Sequence, residues 1–587
     1  EPVSRPTAGT GREPRGTRGD ARAPWVLVAL VAVFAALFAV WVLKHLSYPL
    51  LWNDEAETAM YGERILEFGY PKVDDGRNLI FELQGSLEVG VKEQLDAYIG
   101  STWGQYYVGA LGALAARGVD DVYAKTLRLR LPFALAGLAG VFLFAVLGAA
   151  LFRGSARWLF ALVFLALAPL STVLVLHLRE MRHYPLVVLL VAGALLAYVR
   201  FEVLGRGRFA VYCVLLAVLL TLLFHVFSLP YAALAATLGL HQLGVFVRGR
   251  DFGRAGAARL ARGLLPVALS ALALVPALVF FETFRLAGAL GRAVRGGPPF
   301  GPAEHLALIV GYLERQELLL PALATRVLAL AARRFAPDLA LDPDVAARRS
   351  VAALLWLFVA VYVAICSLMP FSYERYLVVL SPALVTVLLF DAADLTATAR
   401  RRLAERGRRL VAPAAAAAGL ALLLALVPSR APALRGRWHE ITVRYRGPLD
   451  FAVEALRARY PQTDALVIAT NYEPSALVYY LGSRVTVGFS CARVAEDLAV
   501  QPDVIIMRPW PRCARVLERL AAQAAYEPER LPVANTRFNN VPQLGPSPFV
   551  PETHRFETPL ARDERDALVL LHRRVDVAHP GAAEGGW

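Results

Sequence analysis

Asp54 and Glu55 stand side by side in the stretch Leu51-Trp52-Asn53-Asp54-Glu55-Ala56-Glu57-Thr58-Ala59-Met60-Tyr61-Gly62-Glu63-Arg64, about eight residues after a long apolar run ends. Two adjacent carboxylates beside an apolar anchor suit proton chemistry, one taking a proton while the other orients a partner. The same stretch also reads as the opening of an ordinary helix. Asp54 is a good N-cap, and Glu57, three residues on, completes a capping box. Helical composition continues to Phe68, after which Gly69 offers a stop and Pro71 forbids continuation. A capped helix lying on the membrane accounts for much of this pattern, but not for the doubled acids.

Two further polar clusters interrupt apolar sequence. One is Leu178-Arg179-Glu180-Met181-Arg182-His183-Tyr184-Pro185; the other is Phe371-Ser372-Tyr373-Glu374-Arg375-Tyr376-Leu377. Charges at membrane depth cost a few kcal/mol each, so they are paired or functional by default. Each also has a plain alternative. Arg179, Arg182 and Arg375 are long enough to snorkel to headgroups, and Tyr184, Tyr373 and Tyr376 suit an aromatic belt. His225, between Phe224 and Phe227, reads as a core histidine bonded to a neighbouring carbonyl. The convergence of acids and arginines is harder to dismiss than any one member.

The elements that must position these groups are membrane helices. Of 587 residues, 57% are hydrophobic and only 19% charged, and apolar runs of about fifteen to twenty residues repeat along the chain. This excludes a soluble single-core enzyme and predicts a polytopic helical membrane protein. The net charge of +14 carries no nucleic-acid expectation, because the arginines cluster in short loops between apolar runs, as the positive-inside rule describes. Residues 1–23 read as a disordered basic cytoplasmic tail, and 24–43 as a retained first span without a convincing cleavage site. Further spans are expected near 132–152, 158–176, 185–199, 209–227, 229–246, 263–281, 317–332, 351–369, 376–390 and 410–428. The segment 102–116 is short for a crossing and reads as re-entrant or tilted. With Arg5 to Arg22, Arg200 to Arg208, Arg248 to Arg262, Arg333 to Arg349 and Arg400 to Arg409 placed inside, the three polar clusters fall on one outer face. The carboxylate pair then lies in an outer loop, 44–101, of a transmembrane domain covering 24–428.

Residues 429–587 change character and read as an extracytoplasmic α/β domain with a C-terminal extended arm. Strands are expected at Ala465 to Thr470, Arg484 to Gly488 and Val504 to Met507, with helices at Pro474 to Leu481 and Pro511 to Ala525. Asn471-Tyr472-Glu473 lies where open α/β sheets bind ligands, and equally reads as a cap and turn. Cys491 and Cys513 both fall in this domain, where an oxidising compartment would allow a disulfide. The arm spans Asn535 to Pro551, and the last residues read as disordered.

The motif Asp54-Glu55-Ala56-Glu57-Thr58-Ala59-Met60-Tyr61-Gly62-Glu63-Arg64-Ile65-Leu66-Glu67-Phe68-Gly69-Tyr70-Pro71 resembles the first-outer-loop signature of GT-C glycosyltransferases. Within these it resembles specifically the dolichyl-phosphate-mannose protein mannosyltransferase-like group that includes bacterial lipid A aminoarabinose transferases. Arg130-Leu131-Pro132-Phe133-Ala134-Leu135-Ala136-Gly137, the Arg179 to Leu186 segment, the stretch around His225 and Tyr231, and Glu374-Arg375-Tyr376-Leu377 with Pro382 resemble later motifs of that group in the same order, over roughly residues 24–395. Where many relatives carry Pro-Pro-Leu-Tyr, this chain has Tyr98-Ile99-Gly100-Ser101-Thr102-Trp103-Gly104-Gln105-Tyr106-Tyr107.

The resemblance implies a GT-C-like fold of about 11–13 transmembrane helices in the inner (cytoplasmic) membrane, with the N-terminus cytoplasmic and the C-terminal domain periplasmic. It implies an inverting glycosyltransferase of the cell envelope that uses a sugar on a polyprenyl phosphate and a protein, lipid or glycan acceptor. Asp54 would be the general base and Glu55 would place the acceptor or assist it. Arg375, Arg182 and Arg179 would bind the donor phosphate, supported by Glu180, Tyr184, Tyr373, Glu374, Tyr376 and His225. A divalent cation beside Asp54 and Glu55 stays open, but no His or Cys cluster shows ligand spacing and no metal ligand is assigned. The segment 283–316, with Gly-Gly-Pro-Pro at 296–299, would form a lid. A second reading stays open: a catalytically silent, transferase-like scaffold that binds a surface or secreted partner through 429–587. A transporter is disfavoured, since no internal repeat is evident.

Overall fold

The computed structural model describes residues 23–78, 90–286, 288, 301–335, 338, 341–369, 373–405, 435, 438–439, 442–489, 491, 493–510, 512–536 and 557–574. The first part is helical. In chain order the helices are α1 (Ala23–Leu43), α2 (Asn53–Phe68), α3 (Gly104–Ala116), α4 (Val122–Ala149), α5 (Ser155–Leu167), α6 (Thr172–His177), α7 (His183–Tyr198) and α8 (Phe209–Val226). There follow α9 (Ser228–Gly249), α10 (Arg254–Ala273), α11 (Val275–Phe280), α12 (Pro302–Gln316), α13 (Leu319–Ala332), α14 (Pro343–Leu368) and α15 (Leu380–Glu405). A two-stranded ribbon, β1 (Val91–Lys92) with β2 (Ala97–Tyr98), lies between α2 and α3.

Among the described residues eight helical stretches are long and apolar enough to cross a membrane, and two shorter apolar helices accompany them. The protein is a polytopic helical membrane protein, and the expected span at 410–428 lies outside the described residues. Two expected spans are broken. The run at 158–176 divides where Pro169 enters a 3₁₀ turn and Ser171 accepts the Leu174 N–H at 3.1 Å, starting α6. The run at 263–281 divides at Leu274, with Pro276 in the first turn of α11. The helix α3 is about 20 Å long at 1.5 Å per residue, too short alone for a hydrocarbon core of about 30 Å. Of the expected lid, residues 289–300 lie outside the described residues, and Pro302–Gln316 is the helix α12.

Glycines set the closest helix approaches. A Cβ on Gly62 of α2 would stand 2.8 Å from the Gly109 carbonyl carbon of α3, and one on Gly140 of α4 would stand 2.6 Å from the Leu189 nitrogen of α7. Small residues let backbones meet at this range, and the facing atoms are backbone, which cannot turn aside. Gly62→Ala is therefore expected to destabilise the fold by about 1–3 kcal/mol. A thermal melt in detergent reads this as a lowered midpoint, and an unchanged midpoint would contradict the close α2–α3 contact.

The C-terminal region is α/β, built from α16 (Pro448–Arg459), β3 (Val467–Thr470), α17 (Pro474–Leu481), β4 (Arg484–Val487), α18 (Val494–Ala499), β5 (Val504–Ile506), α19 (Ala514–Gln523), β6 (Tyr526–Ala534) and β7 (Ala567–Arg573). The sheet order is β4-β3-β5-β7-β6, with β4, β3 and β5 parallel and β7 antiparallel to both neighbours. Strands β6 and β7 were not expected. Pro528 and Pro532 and three charges obscure β6, and its place at the sheet edge is what tolerates them. Cys491 and Cys513 form a disulfide, their Cα atoms 5.7 Å apart. Most of the arm beyond Thr536 lies outside the described residues. One apolar core runs without a break from the helices into this region, joining Phe133 and Tyr61 to Leu477 and Ile468.

Candidate active site

The site begins with how α2 is held. Three successive groups at its start bond to the C-terminal region: the Leu50 N–H donates to Asp450 at 3.1 Å, the Leu51 N–H to the Tyr480 hydroxyl at 3.0 Å, and Asn53 Oδ1 accepts the Ser475 N–H at 3.3 Å. Tyr480 also shares a hydrogen bond of 2.6 Å with Thr126 of α4. The helix starts two residues earlier than expected, so Trp52 is the N-cap and makes no side-chain cap bond. Asp54 therefore sits inside the first turn, and no capping box forms. Glu57 instead accepts the Tyr106 hydroxyl at 2.8 Å, which lies 2.9 Å from Ser101. At the other end Gly69 adopts the left-handed conformation (φ 84°) and its N–H closes on the Ile65 carbonyl.

Neighbours on a helix point about 100° apart, and this separates the two acids. Glu55 is fully buried and gripped by Arg130 of α4, with Oε1 at 2.8 Å from Nε and Oε2 at 2.6 Å from Nη2. Glu55 also accepts the Met181 N–H at 2.8 Å. Arg130 spends both Nη1 donors on the Leu46 and Pro49 carbonyls, at 3.0 and 2.8 Å. With no exposed surface, Glu55 cannot touch an acceptor. Both of its carboxylate oxygens face Arg130 rather than the groups around Asp54.

Asp54 faces a different set of groups. Its side chain is 26% exposed, and its Oδ2 lies 3.8 Å from Nη2 of Arg182 and 3.8 Å from Nη2 of Arg375. These separations are ion pairs but not hydrogen bonds. Arg182, at the N-cap of α7, donates from Nη1 to the Asp54 carbonyl at 3.0 Å and to the Thr58 hydroxyl at 3.1 Å, and stands 3.9 Å from Glu57. The Arg375 guanidinium lies over the Tyr373 ring at 4.2 Å and the Trp52 ring at 5.1 Å. Among the described residues, Arg182 Nε and Arg375 Nε and Nη1 are buried without a hydrogen-bond partner. Two desolvated guanidiniums with unspent donors, aimed at one partly open carboxylate, make a site that favours an added anion.

The other expected residues divide. Arg179 is turned away and donates to the Lys44 carbonyl at 2.5 Å; burial, with Arg130 beside it, pulls its pKa down to about 9. It does not join Arg182 and Arg375 beside Asp54. Glu180 does not hold Arg182, since its carboxylate lies 3.0 Å from His177 Nδ1. Glu374 is buried behind Arg375, and burial pushes its carboxyl up to about 7 against the pull of that arginine. Tyr184, Tyr376 and His183 form a ring cluster, with His183 to Tyr184 at 4.3 Å and Tyr184 to Tyr376 at 6.4 Å. The Tyr376 carbonyl accepts the Tyr362 hydroxyl at 2.7 Å. Phe371 and Ser372 lie outside the described residues.

His225 lines an apolar cavity of 840 Å³ with Trp103, Tyr107, Leu186, Leu222 and Phe280. Leu186 is one turn along the helix that Arg182 caps, so the cavity lies beside the polar cluster. The segment 98–107 is absorbed into the packing around α2. Tyr98 stacks on Tyr61 at 4.8 Å, and a Cβ on Gly104 would meet the His225 carbonyl oxygen at 2.6 Å.

Sequence reasoning missed the roles of Arg130, Glu57, Thr58 and Trp52. Arg130 carried a signal, a lone cation ahead of an apolar run that needs a buried partner. A divalent cation does not fit beside Asp54 and Glu55. Two guanidiniums already face the first and a third grips the second, and among the described residues no group of three or more His, Cys, Asp or Glu side chains is placed to hold a metal.

No family model matches the sequence, and no curated protein does. Among solved structures, the chain is similar to ArnT from Cupriavidus metallidurans bound to undecaprenyl phosphate, at 15% identity and a TM-score of 0.47, over 95% of this chain and 100% of that one. It is also similar to the archaeal oligosaccharyltransferase AglB from Archaeoglobus fulgidus in complex with an inhibitory peptide and a dolichol-phosphate. That likeness has 14% identity and a TM-score of 0.47, over 82% of this chain and 69% of that one.

Proposed function

We propose that the chain is an integral-membrane inverting glycosyltransferase that moves a sugar from a polyprenyl-phosphate donor to an acceptor hydroxyl of a protein, lipid or glycan on the extracytoplasmic side. The observation that carries this reading is the convergence of Arg182 and Arg375 on Asp54, with buried donors left unspent. Nucleotide sugars are absent outside the cytoplasm, so a transferase there takes its sugar from a lipid carrier. The apolar cavity beside Arg182 suits the tail of such a carrier.

In this reading the donor phosphate lies between the two guanidiniums, which bind its oxygens and stabilise the charge it gains on leaving. Asp54 accepts the proton of the acceptor hydroxyl as its oxygen attacks the anomeric carbon. The bond from that carbon to the phosphate oxygen breaks with its electron pair going to the phosphate, and the configuration inverts. Phosphate entry displaces Asp54 from the arginines, freeing the carboxylate to act as a base. Tyr373 and Trp52 hold Arg375 flat, and Glu55 acts only through Arg130, by fixing where α2 begins.

The test is binding of undecaprenyl phosphate to the purified protein, followed by intrinsic fluorescence. Arg375→Gln should weaken binding by roughly 10²-fold or more, the loss of a charge-assisted contact of about 3 kcal/mol. Arg375→Lys keeps the charge without the fork and should fall between. Equal binding by all three proteins, or transfer with retained configuration, would overturn the assignment.

A further inference from the structure

A second cavity, of 780 Å³, lies at the far end of the helices. From Arg130, beside Glu55, α4 runs nineteen further residues to Ala149, roughly 30 Å at the helical rise. The cavity opens there, between α1, the ends of α4 and α7, and the starts of α5 and α14. Its walls are apolar, including Ala35, Phe142 and Leu196, and Val146 on its edge is 52% exposed. An apolar hollow at this depth, open on its flank, faces lipid rather than water.

The mouth of the cavity is lined by Arg153, Arg157, Arg200 and Arg206, with Trp158 among them. One carboxylate, Asp344, also lines it, and Arg153 takes it at 2.9 Å. Arg157, Arg200 and Arg206 make no ion pair with any described carboxylate. Some arginines of the helices are paired, Arg326 with Asp391 and Arg333 and Arg349 with Asp394. A topological excess of arginine accounts for positive charge on this face. It does not account for three guanidiniums, one from α5 and two from the turn after α7, gathered at the mouth of one apolar hollow.

We propose that this cavity binds an anionic glycerophospholipid, with an acyl chain against the apolar wall and the headgroup phosphate among Arg157, Arg200 and Arg206. The charge at the mouth selects the occupant. A zwitterionic headgroup would bring its own cation into the arginine ring, whereas an anionic one brings only the complement. Membrane surfaces supply such lipids, and each basic residue near the headgroups contributes about 1 kcal/mol to holding them. The site is independent of the transfer reading and uses none of its residues.

Native mass spectrometry of the full chain in detergent tests it, with dioleoyl-phosphatidylglycerol and dioleoyl-phosphatidylcholine compared at equal chain length. The wild type should prefer the anionic lipid by roughly tenfold. Arg157→Gln with Arg200→Gln should reduce that preference to about twofold or less. Arg250→Gln with Arg254→Gln, which removes two arginines from the same end of the helices but outside the cavity, should leave it intact. If the first double variant melts below the wild type, Arg200→Gln alone should still lower the preference by about threefold. Equal binding of the two lipids, or an equal loss in the Arg250 and Arg254 variant, overturns the proposal. So does displacement of the phosphatidylglycerol by equimolar undecaprenyl phosphate, which would make the hollow a carrier site. Asp54→Asn should leave the lipid preference unchanged, so a failure here and a failure of the transfer reading are distinguishable.

Discussion

Asp54→Asn is expected to lower sugar transfer by roughly 10²–10⁴-fold, the usual worth of a positioned general base. The substitution keeps the shape of the side chain, and among the described residues the partners of the Asp54 carboxylate are two arginines at 3.8 Å, beyond hydrogen-bond range. Undecaprenyl phosphate binding should therefore hold or tighten slightly, because an anion that competes for the same guanidiniums has been removed. That split, chemistry lost and donor binding kept, separates a base from a structural acid. A variant with more than about a tenth of wild-type turnover at saturating donor would remove Asp54 from the mechanism and favour the scaffold reading.

The neighbouring residue should behave in the opposite way. Glu55→Gln or Arg130→Gln leaves one buried charge without its partner, which costs about 3–5 kcal/mol. Each single variant should melt well below the wild type, and transfer should fall with the loss of folded protein. Replacing both residues by apolar ones should restore part of this stability, since neither charge is then stranded. Recovery should be incomplete, with about 1–3 kcal/mol still missing, because the Leu46 and Pro49 carbonyls lose the Arg130 donors they now share. Singles that melt like the wild type would mean that the pair is not what fixes the start of α2.

The two acids show what was legible in the sequence and what was not. That a carboxylate pair lay at an apolar edge, with arginine-bearing clusters on the same face, followed from composition and charge. Which acid faced the cluster did not follow, because the partner that buries Glu55 is 75 residues away on α4. The same limit applies to Arg179 and Arg182. They are three residues apart, but the turn into α7 sends one to the Lys44 carbonyl and the other to Asp54. Long periodic runs were found, and the breaks inside them were passed over. Ala168-Pro169-Leu170-Ser171 carried a proline and a capping serine, but uniform apolarity hid both. In the C-terminal region β3, α17, β4 and β5 emerged within a residue or two, since buried strands and a Pro-initiated helix have strong local signals. β6 did not, because an edge strand is defined by what it pairs with.

The contacts at Leu50, Leu51 and Asn53 also bear on the order of synthesis. A chain grown only to about residue 445 has already made α1 to α15 and therefore holds Asp54, Arg182 and Arg375. It lacks Asp450, Ser475 and Tyr480, which hold the start of α2 in place. Three hydrogen bonds and an unbroken apolar core against α17 are missing until the last quarter of the chain has folded. The start of the helix that carries Asp54 is thus held from two sides, by Arg130 in the part made first and by Asp450, Ser475 and Tyr480 in the part made last.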